Sequence, residues 1–390
     1  MPTRTLYYED SHCAAFRARV RSCREYKDGY AVVLDATAFY PEGGGQAGDT
    51  GTLDGVRVRD TRHVDGELVH ICEAPLTVGA EVAGAIDYEA RFVRMQQHSG
   101  EHILSGIVHR RYGYHNTGFH MNLERMQIDF DGAIPAEDLE AIEAEANAAV
   151  WQNIPLHIWT PSPEELPTVH YRTKRALPWP VRIVEVPGYD ACACCGTHVA
   201  ATGEIGLVKL FSAVPFRGGT RIEMACGKPA LALLNRVYQQ NRQVSQIFSA
   251  QIEQTGAAAK QVSEQLAAQK YKIVGLQRRI FAGIAAGAAG KGDVLCFARD
   301  LDAAGTRELS DALAEACGGV AAVFCEAESG FGYCLTARAG DLRPLGKAMN
   351  AALNGRGGGK PTFQQGSVRA DPDEIRAFFV DYAEIGALSE

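Results

Sequence analysis

The chain has no run of about 18 apolar residues, so a membrane span is not expected. Its first twenty residues, MPTRTLYYEDSHCAAFRARV, mix charges throughout and lack the apolar core of a secretory signal. Cysteine is present, but its eleven copies are odd in number and scattered over 390 residues. That usage excludes the paired framework of a small secreted domain and fits a reducing cytosol with metal-binding or buried thiols. A cytoplasmic location is therefore expected. Positive charge is not in excess: 39 Lys and Arg face 47 Asp and Glu, for a net charge of -8. A nucleic-acid partner must then meet a local basic surface. There is no internal repeat. Nor is there a phosphate loop, because G-x-x-x-x-G-K-[ST] would need glycine at Asn354 and a hydroxyl at Pro361. What remains is an ordinary globular balance, 46% hydrophobic and 22% charged, at a length that suggests two to three domains.

Residues 1–88 read as β-rich. YAVVLDATAFY, GTLDGVRVRDTRHVDGELVHI and VGAEVAGAIDY are short β-branched runs punctuated by Gly and Asp, the pattern of a small barrel or sandwich. From Arg91 to Tyr112 the spacing becomes helical, with Met95, Ile103, Leu104 and Ile107 available for a buried face. A second helix is predicted over Pro135–Trp151, with Asp138, Glu140 and Glu143 as a solvated acidic side. Strands return at Leu156–Trp159, Val181–Val186, Gly206–Phe211 and Thr220–Ala225. The whole is an α+β multidomain chain.

Residues 228–291 differ. They hold nine Lys and Arg against two Glu, a local balance of +7 that leaves -15 for the rest. Val262, Leu266, Gln269, Ile273, Leu276 and Ile280 step by alternating threes and fours, a heptad-like seam. Leu234, Val237, Asn241, Val244 and Phe248 do much the same, so a basic helical hairpin broken near Thr255–Gly256 is expected. Its seam suits intramolecular packing or the joining of two chains. After Gly292 the pattern is α/β, followed by the Gly-rich stretch GRGGGKPTFQQGS, read as a loop, and a helix from Asp371.

The most informative segment is His98-Ser-Gly-Glu-His102. Residues four apart share a helix face, so two imidazoles can meet one ion. Downstream, Cys192-Ala-Cys194-Cys195-Gly-Thr-His198 puts a second four-residue pair, Cys194 and His198, in a Gly-containing turn. Thiolate plus imidazole suits zinc better than magnesium or calcium. His98-x-x-Glu101-His102 also spells the inverted zinc-peptidase order, and Cys192-x-x-Cys195 has redox spacing. The Cys194/His198 pair does not belong to the first, and the second lacks a thioredoxin-like βαβ context. A closed Cys-His₃ site is in addition the usual form of a structural zinc, since catalytic zinc keeps an open position.

Taken together, these motifs resemble the alanyl-tRNA editing family, the long-form AlaX relatives of the alanyl-tRNA synthetase editing domain. The resemblance is carried, in order, by FYPEGGGQAGDTG (39–51), HSGEH, CCGTH, TGEIG (202–206), RGGTRIE (217–223) and the C-terminal GRGGGKP with QQG (364–366). It implies a zinc-binding editing core over 89–227 and a DHHA1-like tRNA-binding or dimerisation domain over 292–390. It also implies zinc ligation by His98, His102, Cys194 and His198. With no aminoacylation domain upstream in this sequence, it implies hydrolysis in trans and not ligation. The acidic D-H-H motif is absent, so phosphoesterase activity is not expected.

The implied reaction is deacylation of tRNA(Ala) mischarged with serine, with glycine as a second substrate, a quality-control step of translation. A small pocket cannot strongly reject an added hydroxyl, so a second sieve is physically required. Gly43, Gly44, Gly45 and Gln46 are expected to bind substrate, with a plain inter-strand turn as the alternative. Thr117 and His120 are expected to line the pocket and to bind the seryl hydroxyl or orient water. Glu101 is a formal general base, but a solvated helix position is the favoured reading. Arg356 and Lys360, with the basic hairpin, are expected to meet tRNA phosphates. A homodimer through the C-terminal region is a further expectation, and the alternative functions are a non-catalytic tRNA-binding protein with a structural zinc, or a zinc peptidase.

Overall fold

A computed structural model describes residues 2–173, 179–382 and 386–387. The chain divides into two units, residues 1–243 and 244–390, and the division falls inside the helix Lys228–Ile247.

The N-terminal part of the first unit is built from six strands. Ala15–Tyr26 pairs with Gly29–Leu34, which pairs with Glu67–Cys72; that strand pairs with Val56–Val64, then Gly51–Leu53, then Glu81–Ile86, which closes on Ala15–Tyr26. Alternation explains the closure. In Glu81–Ile86 every second side chain is buried, and Ala18, Val20, Val32, Leu34, Leu53, Val58 and Ile86 fill one interior cluster. The sequence from Phe39 to Thr50, with its three consecutive glycines, runs outside this pairing as the connection before Gly51–Leu53.

The remainder of the first unit wraps the helix Tyr88–Tyr112. A four-stranded antiparallel sheet runs in the order Val208–Phe216, Gly219–Cys226, Met126–Phe130, Asn116–Met121. The helix Leu139–Trp151 and a three-stranded sheet of His157–Trp159, Ile183–Val186 and Asp190–Ala193 complete it. Every residue of the central helix from Met95 to Val108 is buried, because Ile103, Leu104 and Ile107 meet Met126, Ile128, Val208 and Met224 in one apolar cluster. Gly100 permits this depth, since a Cβ there would lie 2.2 Å from Cys226 Sγ. Gly113 closes the helix at φ 74 and returns its N–H to His109 O. The acidic side read into 135–151 is only partly solvated: Glu143 accepts from Leu210 N at 2.6 Å and pairs with Lys209 at 2.8 Å.

In the second unit the helix Thr255–Gly287 leads into a sheet ordered Arg356–Lys360, Phe363–Val368, Gly330–Ala337, Gly318–Ala327, Gly292–Ala298, Gly386–Ala387. Two expectations change here. The helical break lies before Thr255, at Phe248–Gln254, and Thr255 itself starts the long helix. The Gly-rich stretch is no loop, since Arg356–Lys360 is an edge strand paired with Phe363–Val368. The seam is exposed among the described residues of this unit: Val262, Leu266, Ile273, Leu276 and Ile280 are 45 to 59% exposed. The end of that helix, around Phe281 and Ile284, packs against Leu309 and Leu313 of the helix Ala303–Cys317. Among the described residues no helix is long and apolar enough to cross a membrane.

One buried group makes the barrel sensitive to pH. His70 is fully enclosed, with Nδ1 3.0 Å from Val32 O and Nε2 2.8 Å from Thr37 Oγ1. The carbonyl can only accept, so Nδ1 carries the hydrogen and the threonine hydroxyl donates to Nε2. Burial pushes the imidazole down from 6.5 to about 4. The unfolded chain therefore binds the extra proton first, and stability present above pH 6.5 is lost as pH falls toward 4. Urea unfolding at pH 7 and pH 5 is expected to differ by about 2 kcal/mol from this group, a share that His70→Gln removes.

Candidate metal centre

His98 and His102 lie one turn apart on the central helix, facing the loop that leaves the strand Asp190–Ala193. Three groups pin that loop: Tyr8 Oη donates to Cys195 O at 2.9 Å, Ser11 Oγ donates to His198 O at 2.8 Å, and Arg182 Nη1 donates to the carbonyls of Cys194 and Gly196. Gly196 is required by close approach, since a Cβ would lie 2.2 Å from His98 Cε1. The result brings His98, His102, Cys194 and His198 together, with their ligand atoms all within 4.8 Å of one another. Cys194 Sγ is 3.4 Å from His98 Nε2 and 3.3 Å from His198 Nε2. This is the arrangement expected of the four residues, and it can hold a metal ion.

Each imidazole is aimed by a partner on its other nitrogen. His98 Nδ1 meets Gln46 Oε1 at 3.0 Å, and Gln46 in turn donates from Nε2 to Thr197 Oγ1 and accepts from Thr197 N. His198 Nδ1 meets Ser99 Oγ at 3.1 Å. His102 Nδ1 lies 3.2 Å from Asp190 Oδ2 in an ion-pair contact without an aligned hydrogen bond. The same carboxylate takes a two-pronged grip from Arg172, at 2.6 and 2.8 Å. Such outer partners fix ring orientation and tautomer at metal sites.

Electrostatics single out one of the three neighbouring cysteines. Burial opposes a thiolate at Cys194, but His98 and His198 beside it and hydrogen bonds from His102 and His198 outweigh it, holding the group well below its ordinary value. Burial pushes Cys192 up to about 11 and raises Cys195 as well. Neither of these two is an activated thiolate, which counts against redox chemistry at Cys192-x-x-Cys195. Burial and the neighbouring His98 and His102 depress His198. At His102 burial works downward, yet the Asp190 contact and Cys194 prevail and raise it.

The cluster borders a cavity of about 1310 Å³ walled by Tyr8, Phe119, Trp159 and Val181 on its apolar sides. Gly44, Gly45 and Thr117 line it. Gln46 does not: it is 1% exposed and spends its amide on His98 and Thr197, so its place is behind the His98 ring and not at the cavity surface. His120 is also elsewhere, beside Asn122, Arg125 and Glu223 in a separate small cleft, because its neighbour Phe119 takes the cavity side of the strand. Glu101, read as solvated, is 5% exposed and lines the cavity. Arg356 and Lys360 lie exposed on the edge strand of the second unit. Ser99, Asn116, Arg172, Arg182 and Asp190 carry no spacing signal and escaped sequence reasoning, since their partners are distant in the chain.

Two family models match parts of the chain: tRNA synthetases class II (A) over residues 3–90, and the threonyl and alanyl tRNA synthetase second additional domain over 181–223. The second contains Cys194 and His198. Among curated relatives, the alanine–tRNA ligase of Thermofilum pendens is 32% identical over all of this chain and 44% of its own. The alanyl-tRNA editing protein AlaX-L of Pyrococcus horikoshii is 33% identical over 60% of each chain. The mouse (Mus musculus) alanyl-tRNA editing protein Aarsd1 is 31% identical over 53% of this chain and 54% of its own. The chain is similar in sequence to alanyl-tRNA editing proteins and alanyl-tRNA synthetases. It spans about half the length of the curated relatives it matches, from 44 to 60% of these three. A distant likeness to the solved C-Ala domain of Aquifex aeolicus alanyl-tRNA synthetase covers 24% of this chain and 89% of that one, at 17% identity and a TM-score of 0.21.

The partner shell yields a test. Asp190→Asn keeps the shape but removes the charge that holds His102, and is expected to lower divalent-metal affinity by roughly 10- to 100-fold, read by chelator competition, with the unfolding transition still cooperative.

Proposed function

We propose that this chain is a zinc-dependent aminoacyl-tRNA deacylase that removes serine, and glycine as a second substrate, from tRNA(Ala). One observation carries the reading: three imidazoles and a thiolate converge at the wall of a cavity large enough for an aminoacylated nucleoside. The relatives' names supply the substrate class.

Zinc is the ion this donor set fits. One sulfur and three nitrogens, with the thiol already drawn toward thiolate, match its preference and not that of oxygen-seeking cations. Bound there, zinc would supply Lewis acidity toward the ester. The protein's own contribution is placement. Gln46, Ser99 and Asp190 hold three rings in register, while Arg172 keeps Asp190 ionised beside His102. The wall formed by Tyr8, Phe119 and Trp159 offers flat apolar faces to the terminal adenine. Gly44 and Gly45 allow backbone to approach the aminoacyl group. Thr117 hydroxyl, which donates to Asp129 O at 3.1 Å, retains acceptor capacity toward a seryl hydroxyl. Alanine would leave that partner unmatched, which is how the cognate ester is spared.

The second unit is read as the DHHA1-like module. Arg356 and Lys360 flank three exposed glycines on an edge strand, a surface that suits phosphates, and the exposed seam of the helix Thr255–Gly287 suits a second copy of the chain. Such a protein would act in the cytoplasm, beside its tRNA.

The experiment is deacylation of seryl-, glycyl- and alanyl-tRNA(Ala) by the full chain, with and without a zinc chelator. Seryl ester is expected to be lost and alanyl ester spared, with the activity abolished by chelation. Cys194→Ala is expected to lose zinc and at least about 100-fold in rate together. Intact esters despite tRNA binding and full zinc occupancy would transfer the case to a tRNA-binding protein with a structural zinc.

A further inference from the structure

Glu101 is the one carboxylate among the described residues that line the cavity. It is 5% exposed, on the central helix between the two ligand histidines and next to His102. One of its oxygens is tied down: Ser105 Oγ donates to Oε1 at 2.6 Å and Asn116 Nδ2 donates to it at 2.5 Å. Only the N–H face of the Asn116 amide can meet a carboxylate, so this orientation is forced. Oε2 receives no hydrogen bond; His102 Nε2 lies 4.0 Å from it. The cavity's two arginines are committed elsewhere, Arg172 to Asp190 and Arg182 to the backbone of the ligand loop. A buried carboxylate oxygen that receives no hydrogen bond is costly. Here the carboxylate is built, held and left with one oxygen open at the wall that carries the metal-ligand cluster.

We propose that Glu101 Oε2 is the subsite for the α-ammonium group of the bound aminoacyl ester. The inference rests on the deacylase reading and extends it to how the amino acid is oriented. The ester's α-amine carries a positive charge and sits two bonds from the carbonyl carbon. Engaging it at Glu101 would turn the carbonyl toward the cluster and the side chain toward Thr117, which lines the same cavity. The subsite would require a free amine, so an N-acylated residue at the 3′ end would be refused. Ser105 and Asn116 act as positioning residues, holding the carboxylate rotamer through Oε1.

The test uses two non-hydrolysable adenosine 3′-amides, one bearing L-serine and one its des-amino counterpart, titrated calorimetrically onto the full chain. Wild type is expected to bind the amine-bearing compound roughly 10- to 100-fold more tightly, the range of a hydrogen bond between charged groups. Glu101→Gln, which can still accept from Ser105 and Asn116, is expected to bring the ratio to about one with zinc content and unfolding midpoint unchanged. Three results would overturn the proposal: a ratio near one in wild type, a ratio preserved in Glu101→Gln, or loss of zinc in that variant, which would make Glu101 a metal ligand. Should Glu101→Gln fail to fold, the wild-type ratio decides alone. Hydrolysis of seryl-tRNA(Ala) with a ratio near one removes the subsite and leaves the deacylase reading standing. Intact seryl ester with neither amide bound removes both.

Discussion

The site depends on a guanidinium buried at the start of the central helix. Arg91 is fully enclosed, and its donors are spent on Asp49, on Ser11 O and on Ala38 O. Asp49 also accepts from Tyr40 N. These contacts register three separate segments against one helix: the N-terminal residues, the stretch entering the Gly-rich connection, and the stretch leaving it. These segments then reach the four-residue cluster or the loops beside it. Ser11 reaches His198 O, Tyr40 Oη donates to Gly43 O, and Gln46 reaches His98. Removing one partner of a buried pair of this kind typically costs about 3–5 kcal/mol. Here the loss would also release the segments that aim the histidines.

The convergence of His98, His102, Cys194 and His198 was legible because its chemistry is local: two pairs at four-residue spacing, each on an element whose geometry brings i and i+4 together. What surrounds the set was not. Gln46 was noticed for its place after three glycines, but its role is decided by Thr197, 151 residues on. Glu101 reads as solvated in a helix whose polar residues suggest one wet face, yet that helix is enclosed on all sides from Met95 to Val108. His120 belongs to the right strand and the wrong side of it, a distinction that a period-two pattern broken by Gly118 does not make. Repeats of apolar residues marked the helix Thr255–Gly287 but did not choose between packing within the chain and the joining of two chains.

Charge, more than shape, distinguishes the cysteines of the loop. Cys192, Cys194 and Cys195 are close in the chain, and burial disfavours the ionised form at all three. Only Cys194 faces the imidazoles closely enough for their pull to exceed that penalty. The arrangement is thus a solution to a desolvation problem: His102, held by Asp190, and Cys194 stabilise each other's charged forms inside a space that would otherwise reject both. Any cation that enters replaces one internal compensation by another.

The separation of the two halves of the site has a consequence for how the protein is made. His98 and Cys194 stand 96 residues apart, with a sheet, a helix and further strands formed between them. In an unfolded chain the four donors are dispersed, so no preformed claw awaits an ion. Ordering them means closing a long loop, whose entropic cost grows only slowly with its length. An ion held at this point therefore acts as a cross-link on the first unit, and its binding energy is added to the folding energy of everything enclosed by the loop. Metal supply and the abundance of the folded protein would then rise and fall together.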